Sequence, residues 1–108
     1  MSQSLNKKWF IARIKPNSHK SAIQNLERQG FETFLPKMEI TQRQNNKFIV
    51  KNVDVFPGYM FVSFDPGIIA WTKINSTYGV SKILAFNNKP AEISSDLILE
   101  LKTRYEIN

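Results

Sequence analysis

The run Phe56-Pro57-Gly58-Tyr59-Met60-Phe61-Val62 is the densest group of side chains in this sequence that could bind something. Side chains alternate faces along a strand, so Tyr59, Phe61 and Ser63 point one way and Met60, Val62 and Phe64 the other. A half-buried strand carries polar residues on its outer face, yet the outer positions nearest the Pro-Gly turn are aromatic. Either both faces are covered within the chain, with Tyr59 and Phe61 packed as core beneath a helix, or one aromatic face is kept for a partner. Such a face can anchor a protein surface or stack on unpaired bases.

Catalytic chemistry finds little to work with. The sequence has no cysteine and a single histidine, His19. That excludes a thiol nucleophile, a disulfide scaffold and the common zinc sites. Asp54, Asp65 and Glu92 fall where turns and caps are expected, positions at which acidic residues have ordinary structural work. No glycine-rich phosphate loop is present. The expectation is a protein that is not an enzyme and needs no cofactor or metal. Fifteen Lys and Arg against nine Asp and Glu give a net charge of +6, which favours an acidic or polyanionic partner. The cations are scattered, so any basic surface must be assembled by the fold.

The elements that must position these groups are legible in outline. A chain of 108 residues, 42% hydrophobic and 12% aromatic, suits one domain with a real core. No apolar run approaches the ~20 residues of a membrane span, and Met1 to Lys8 lacks the apolar centre of a secretory signal; a reducing cytoplasm is the expected compartment. Lys8 to Lys15 predicts a strand with Phe10, Ala12 and Ile14 on one side and Trp9, Ile11 and Arg13 on the other. Ser18 is the expected N-cap of a helix over His19 to Gln29, with Ala22, Ile23 and Leu26 as its apolar stripe and Gly30 as its left-handed terminator.

A second strand is expected from Phe31 toward Arg43, interrupted at Pro36, with Gln44-Asn45-Asn46 as a hairpin tip. Lys47 to Val55 is then the third strand, and Gly58 to Phe64 extends the sheet. Asp65-Pro66 predicts a short helix carrying Ile68, Ile69, Thr72 and Lys73. Val80 to Phe86 is a further strand, Asn87 to Pro90 a turn, and Ser94 or Ser95 caps a last helix with Leu97, Ile98, Leu101 and Tyr105 on one face. The order predicts an α+β fold: a four-stranded antiparallel sheet with helices packed on it, in a ferredoxin-like, split βαβ arrangement.

Trp9-Phe10, the Phe56 to Val62 run and Ile74-Asn75-Ser76-Thr77-Tyr78-Gly79-Val80 together resemble the N-terminal domain of the NusG family of bacterial transcription elongation factors. Leu26-Glu27-Arg28-Gln29, Phe64-Asp65-Pro66 and Ile74-Asn75 are most similar to its specialised RfaH branch. The resemblance runs from Trp9 to about Leu101, and the aromatic run is its most specific part. It implies a single domain of the family's N-terminal (NGN) type over residues 1–108 that binds RNA polymerase, bridging the clamp helices of the largest subunit to the β subunit, suppressing pausing and favouring antitermination. It also implies contact with the exposed non-template DNA strand. A C-terminal KOW domain, which recruits a ribosomal protein or a termination factor, is expected to be absent from this chain.

By the same resemblance the clamp-binding face would comprise Arg13, Phe56, Pro57, Tyr59 and Phe61, with Ile98 and Leu101 from the last helix. Arg13 stands where the RfaH branch carries an aromatic. The β-subunit contact would fall at Ala70, Trp71 and Thr72, with Ala70 in place of a histidine and Trp71 in place of a threonine; Trp71 serves equally as interface anchor or as core. A single-stranded DNA surface would use Lys15, Ser18, His19, Lys20, Ser21 and Asn25, facing Lys73, Asn75, Thr77 and Tyr78. Lysines would hold phosphates and Tyr78 would stack on a base. Ser21, Asn25 and Tyr78 replace arginines and a histidine, which implies a different DNA element. The competing reading is a small RRM-like module that stacks RNA bases on Tyr59 and Phe61.

Overall fold

In the computed structural model, which describes residues 6–67 and 71–105, the chain runs β1 (Lys8–Ile14), α1 (His19–Arg28), β2 (Glu32–Phe34), β3 (Lys37–Gln44), β4 (Lys47–Asp54), β5 (Tyr59–Phe64), a 3-10 helix (Trp71–Ser76), β6 (Val80–Ile83), β7 (Ala85–Phe86), β8 (Lys89–Pro90), β9 (Glu92–Ile93) and α2 (Ser95–Tyr105). The main sheet has the order β2-β5-β1-β6, with β9 also pairing β1. All its pairings are antiparallel. Since β5 lies between them, β1 and β2 run parallel with one strand intervening, and α1 is the crossover. This is the expected split βαβ sheet, extended by the short β9.

Alternation along β1 and β5 builds two cores, one on each side of the sheet. Phe10, Ala12 and Ile14 join Met60, Val62 and Phe64 on one side, under Ala22 and Leu26 of α1 and Ile74 of the 3-10 helix. Phe10 and Phe64 stack with ring centroids 4.2 Å apart. On the other side Phe34, Phe61 and Ile98 form a smaller cluster, with Trp9, Ile11, Ile93 and Leu101 packed around it. The α2 helix is strapped there by Lys102, whose Nζ sits 5.1 Å from the Trp9 ring centroid and 3.4 Å from Glu32 Oε2. Ser94 Oγ accepts from the Leu97 N–H (3.1 Å), which makes Ser94 the cap of α2. Ser18 occupies the N-cap of α1 without capping it; its hydroxyl instead donates to the Pro16 carbonyl at 3.1 Å. Gly30 follows α1 at φ +95°, as expected of its terminator.

Three expectations need correction. Lys47–Asp54 is not the third strand of the main sheet; among the described residues β3 and β4 pair only with each other. Their residues are exposed or at best half-buried, because neither face carries enough apolar side chains to be drawn into a core. The third strand of the sheet is β5. The Val80 to Phe86 strand is broken after Ile83, and β7 turns back on β8 through Asn87 and Asn88, both at positive φ. The same Asn-Asn device closes the β3–β4 hairpin at Asn45 and Asn46. The helix expected after Asp65 is, among the described residues, a 3-10 helix from Trp71 to Ser76. Asp65 Oδ1 accepts from the Gly67 N–H instead, an Asx turn; Ile68, Ile69 and Ala70 lie outside the described residues.

Gly79 holds the loop before β6 against α1. It sits at φ +92°, and a Cβ there would lie 2.9 Å from the Ala22 nitrogen and 3.0 Å from the Ser18 carbonyl oxygen. Gly58 also has positive φ, +87°, but faces open space. Gly79→Ala is therefore expected to lower the unfolding free energy by about 3 kcal/mol or more, against about 1 kcal/mol for Gly58→Ala, whose cost is the left-handed backbone alone. Urea denaturation of the two variants checks the difference; equal losses would mean that the α1 contact yields without strain.

Candidate partner-binding face

The sequence Phe56-Pro57-Gly58-Tyr59 folds as a tight turn in which the Tyr59 N–H donates to the Phe56 carbonyl (3.1 Å). Proline before a positive-φ glycine is the signature of a type II turn. The Gly58 carbonyl then accepts from the Ile14 N–H at 2.8 Å, which ties the turn to β1. The result is a lip from which Phe56 leans edge-on over Phe61, with centroids 5.9 Å apart at 89°. Phe56 is 40% exposed and Tyr59 36% exposed, large values for aromatic rings in a domain with its own core.

Beside this lip lies an apolar groove of about 340 Å³. It is lined by Ile11 and Phe61 of the sheet, by Phe56 and Tyr59 of the lip, by Leu84 and Ile93, and by Leu97 and Leu101 of α2. Tyr59 carries the one hydroxyl among the lining side chains. The groove exists because α2 covers this side of the sheet incompletely: Ile98 seats on Phe34 and Phe61, while Leu97 stays 44% exposed.

The expected face therefore divides. Phe56, Pro57, Tyr59 and Arg13 are exposed and Leu101 is half-buried. Phe61 and Ile98 are buried, at 6% and 2% exposure; they pack on each other and brace the face from within, and Phe61 also contributes to the lining of the groove. A sequence cannot separate these two classes, since both alternate correctly. It also leaves Ile11, Leu84, Ile93 and Leu97 unremarked as groove walls, although the spacing of Ile11 with Arg13 and the Leu97-Ile98 pair carried that signal. The burial of Phe61 removes one of the two stacking rings that the RRM-like reading requires.

Of the second expected surface, the fold places some residues near one another and uses others internally. The Lys15 N–H donates to the Gly79 carbonyl (2.9 Å), joining the α1 entry to the Tyr78 loop. Thr77 is 7% exposed, and its Oγ1 accepts from Gln29 Nε2. Asn75 Oδ1 accepts from the Ile83 N–H (2.7 Å), locking the 3-10 helix to β6. Asn25 donates to the Ser21 carbonyl and accepts from Arg28. Thr77 and Asn75 are thus fold-bracing groups, because each satisfies a partner across an element boundary. His19, read from sequence as a surface residue, is half-buried. Its buried Nε2 lies 3.6 Å from Asp54 Oδ2 at the root of the β3–β4 hairpin and makes no hydrogen bond among the described residues; Lys37 approaches the same carboxylate at 3.5 Å. Lys15, Lys20, Lys73 and Tyr78 remain exposed, Tyr78 by 74%; Ser18 and Ser21 are half-buried beside them.

At the third expected contact, Trp71 packs against the α1-side core and is half-buried, and Thr72 is exposed. Ala70 lies outside the described residues.

A family model described as NusG, transcription termination factor nusG, matches residues 7–102. The chain belongs to the NusG family. NusG-family proteins are transcription elongation and termination factors that interact with RNA polymerase, not a known family of enzymes. Within this NusG-family domain the matched span takes in the whole main sheet, both halves of the Phe56 to Val62 run and most of α2. No helix among the described residues is long and apolar enough to cross a membrane, and no cluster of metal-binding side chains occurs among them.

The division between presented and bracing aromatics has a measurable consequence. Phe61→Ala is expected to lower the unfolding free energy by about 3 kcal/mol, and Tyr59→Ala by about 1 kcal/mol or less. Urea denaturation separates them; equal losses would mean that the Tyr59 ring is packed as deeply as Phe61.

Proposed function

We propose that this NusG-family domain docks on the clamp helices of the largest subunit of RNA polymerase through the groove beside Phe56 and Tyr59, and reaches the β subunit through the segment around Trp71 and Thr72. Held across the cleft, it restrains the clamp, suppresses pausing and favours antitermination. The observation that carries this reading is the apolar groove left open between the sheet and α2. A wholly apolar, partly pre-formed groove with aromatic residues at its rim is suited to the apolar stripe of a helix.

Exposed Lys15, Lys20, Lys73 and Tyr78 support a second contact, with the non-template DNA strand. Lysines there would hold phosphates while the Tyr78 ring stacks on an unpaired base. The likeness of Leu26 to Gln29, Phe64 to Pro66 and Ile74-Asn75 to the RfaH branch favours a specialised factor over a general one.

A pull-down of RNA polymerase tests the docking. The wild-type domain is expected to retain polymerase, and Phe56→Ala/Tyr59→Ala to retain at least tenfold less, since anchor aromatics typically contribute about 2 kcal/mol each. Undiminished capture by the double variant would reject the groove as the docking site. RNA binding in isolation that vanishes with the same substitutions, while polymerase capture persists, would favour the stacking-module reading.

A further inference from the structure

Across the α2 side of the sheet, β5, β1 and β6 lie abreast in two successive rungs of different chemistry. In one, Phe61 pairs with Ile11, and the Leu84 N–H donates to the Ile11 carbonyl at 2.9 Å. That rung is apolar and forms part of the groove lining. In the next, Tyr59 pairs with Arg13 and Arg13 with Lys82. Ala12 and Ile83, the neighbours of Arg13 and Lys82, are buried on the α1 side, so the two cations share the groove's side of the sheet with Tyr59.

Two like charges directly opposite each other in a sheet repel. Both side chains are exposed, and neither has an ion-pair partner among the described residues. The carboxylates of Glu32, Asp54, Glu92 and Glu100 are each engaged by another lysine or arginine. Beyond Arg13 the surface stays basic: it opens into a hollow lined by Arg13, Lys15 and His19 together with Pro16, Gly58 and Ser81. The apolar groove therefore ends at a cationic pair that the fold leaves uncompensated.

We infer that Arg13 and Lys82 form an acidic-residue subsite at the end of the groove, and that the polymerase segment seated there carries a carboxylate about one helical turn from its apolar anchor. The inference rests on the docking reading above and adds its charge requirement. Successive residues on one face of a strand are about 6.6 Å apart and one helical turn rises about 5.4 Å. A helix lying along β1 can thus put an apolar side chain on the Phe61–Ile11–Leu84 rung and an Asp or Glu three or four residues away on the Arg13–Lys82 rung. The occupant is a protein carboxylate because whatever covers the apolar rung is what reaches the cationic one. Complementary charges of this kind speed encounter and select the register of docking.

The test measures affinity of the full chain for core RNA polymerase free of nucleic acid, across a series of KCl concentrations. Wild-type binding is expected to weaken as salt rises. Arg13→Gln/Lys82→Gln is expected to bind roughly tenfold more weakly at low salt with a flatter salt dependence, and Arg13→Glu/Lys82→Glu more weakly still. Lys82→Arg, which keeps the charge, retains binding, and the glutamine pair unfolds in urea no more easily than wild type because a repulsion is relieved. Equal affinity and salt dependence for wild type and the glutamine pair, with Phe56→Ala/Tyr59→Ala still defective, would overturn the subsite and leave the docking reading standing. No binding by the wild-type chain would overturn both. A loss seen only when a DNA scaffold is added would assign the pair to phosphate and overturn the inference.

Discussion

Everything in this domain follows from a central strand pair, β1 with β5, that is apolar on both faces. Such a pair must be covered twice. On one side α1 and the 3-10 helix meet the requirement, and Phe10, Phe64, Met60 and Leu26 are sealed to 1% exposure or less. On the other side α2 rests chiefly on Phe34, Phe61 and Ile98. The remaining apolar width stays open as the groove. An incompletely covered apolar surface is a standing cost in water, and its persistence here, rimmed by aromatics and ending in paired cations, is the physical reason to regard it as an interface.

Both backbone geometry and side-chain contacts shape that groove. The Pro57-Gly58 turn sets the angle of Phe56 and is tied to β1 through the Ile14 N–H. Lys102, between the Trp9 and Phe34 rings and bonded to Glu32, keeps α2 on its half of the sheet. Opposite, Gly79 lets the Tyr78 loop approach α1 more closely than any side chain would permit, which leaves Tyr78 projecting. Protein-facing and nucleic-acid-facing candidates thus sit on surfaces joined by β1, whose end at Arg13 and Lys15 borders both.

The β3–β4 hairpin is the part least explained by the core. Among the described residues its strands pair only with each other, and Phe48 and Val50 are 74% and 64% exposed. A lone two-stranded ribbon is marginally stable in water, and this one is anchored at its root, where the Val55 N–H donates to the Pro36 carbonyl and Asp54 meets His19 and Lys37.

Local pattern alone determined a good deal: the alternation of β1 and β5, the α1 stripe, the Asn-Asn turns, the Ser94 cap and the split βαβ order all follow from periods of two and 3.6 and from turn chemistry. The aromatic run also carried its family likeness in the residues themselves. Tertiary structure decided what those periods cannot encode. Phe61 and Tyr59 occupy equivalent positions in one strand, yet only the footprint of α2 makes the first a brace and the second a rim. Asn75 and Thr77 looked like surface polar groups until the fold brought Ile83 and Gln29 within hydrogen-bonding reach. Arg13 and Lys82 are 69 residues apart by number and became neighbours only through the β1–β6 register, since pairing across a sheet is set by long-range packing and leaves no trace in the local sequence.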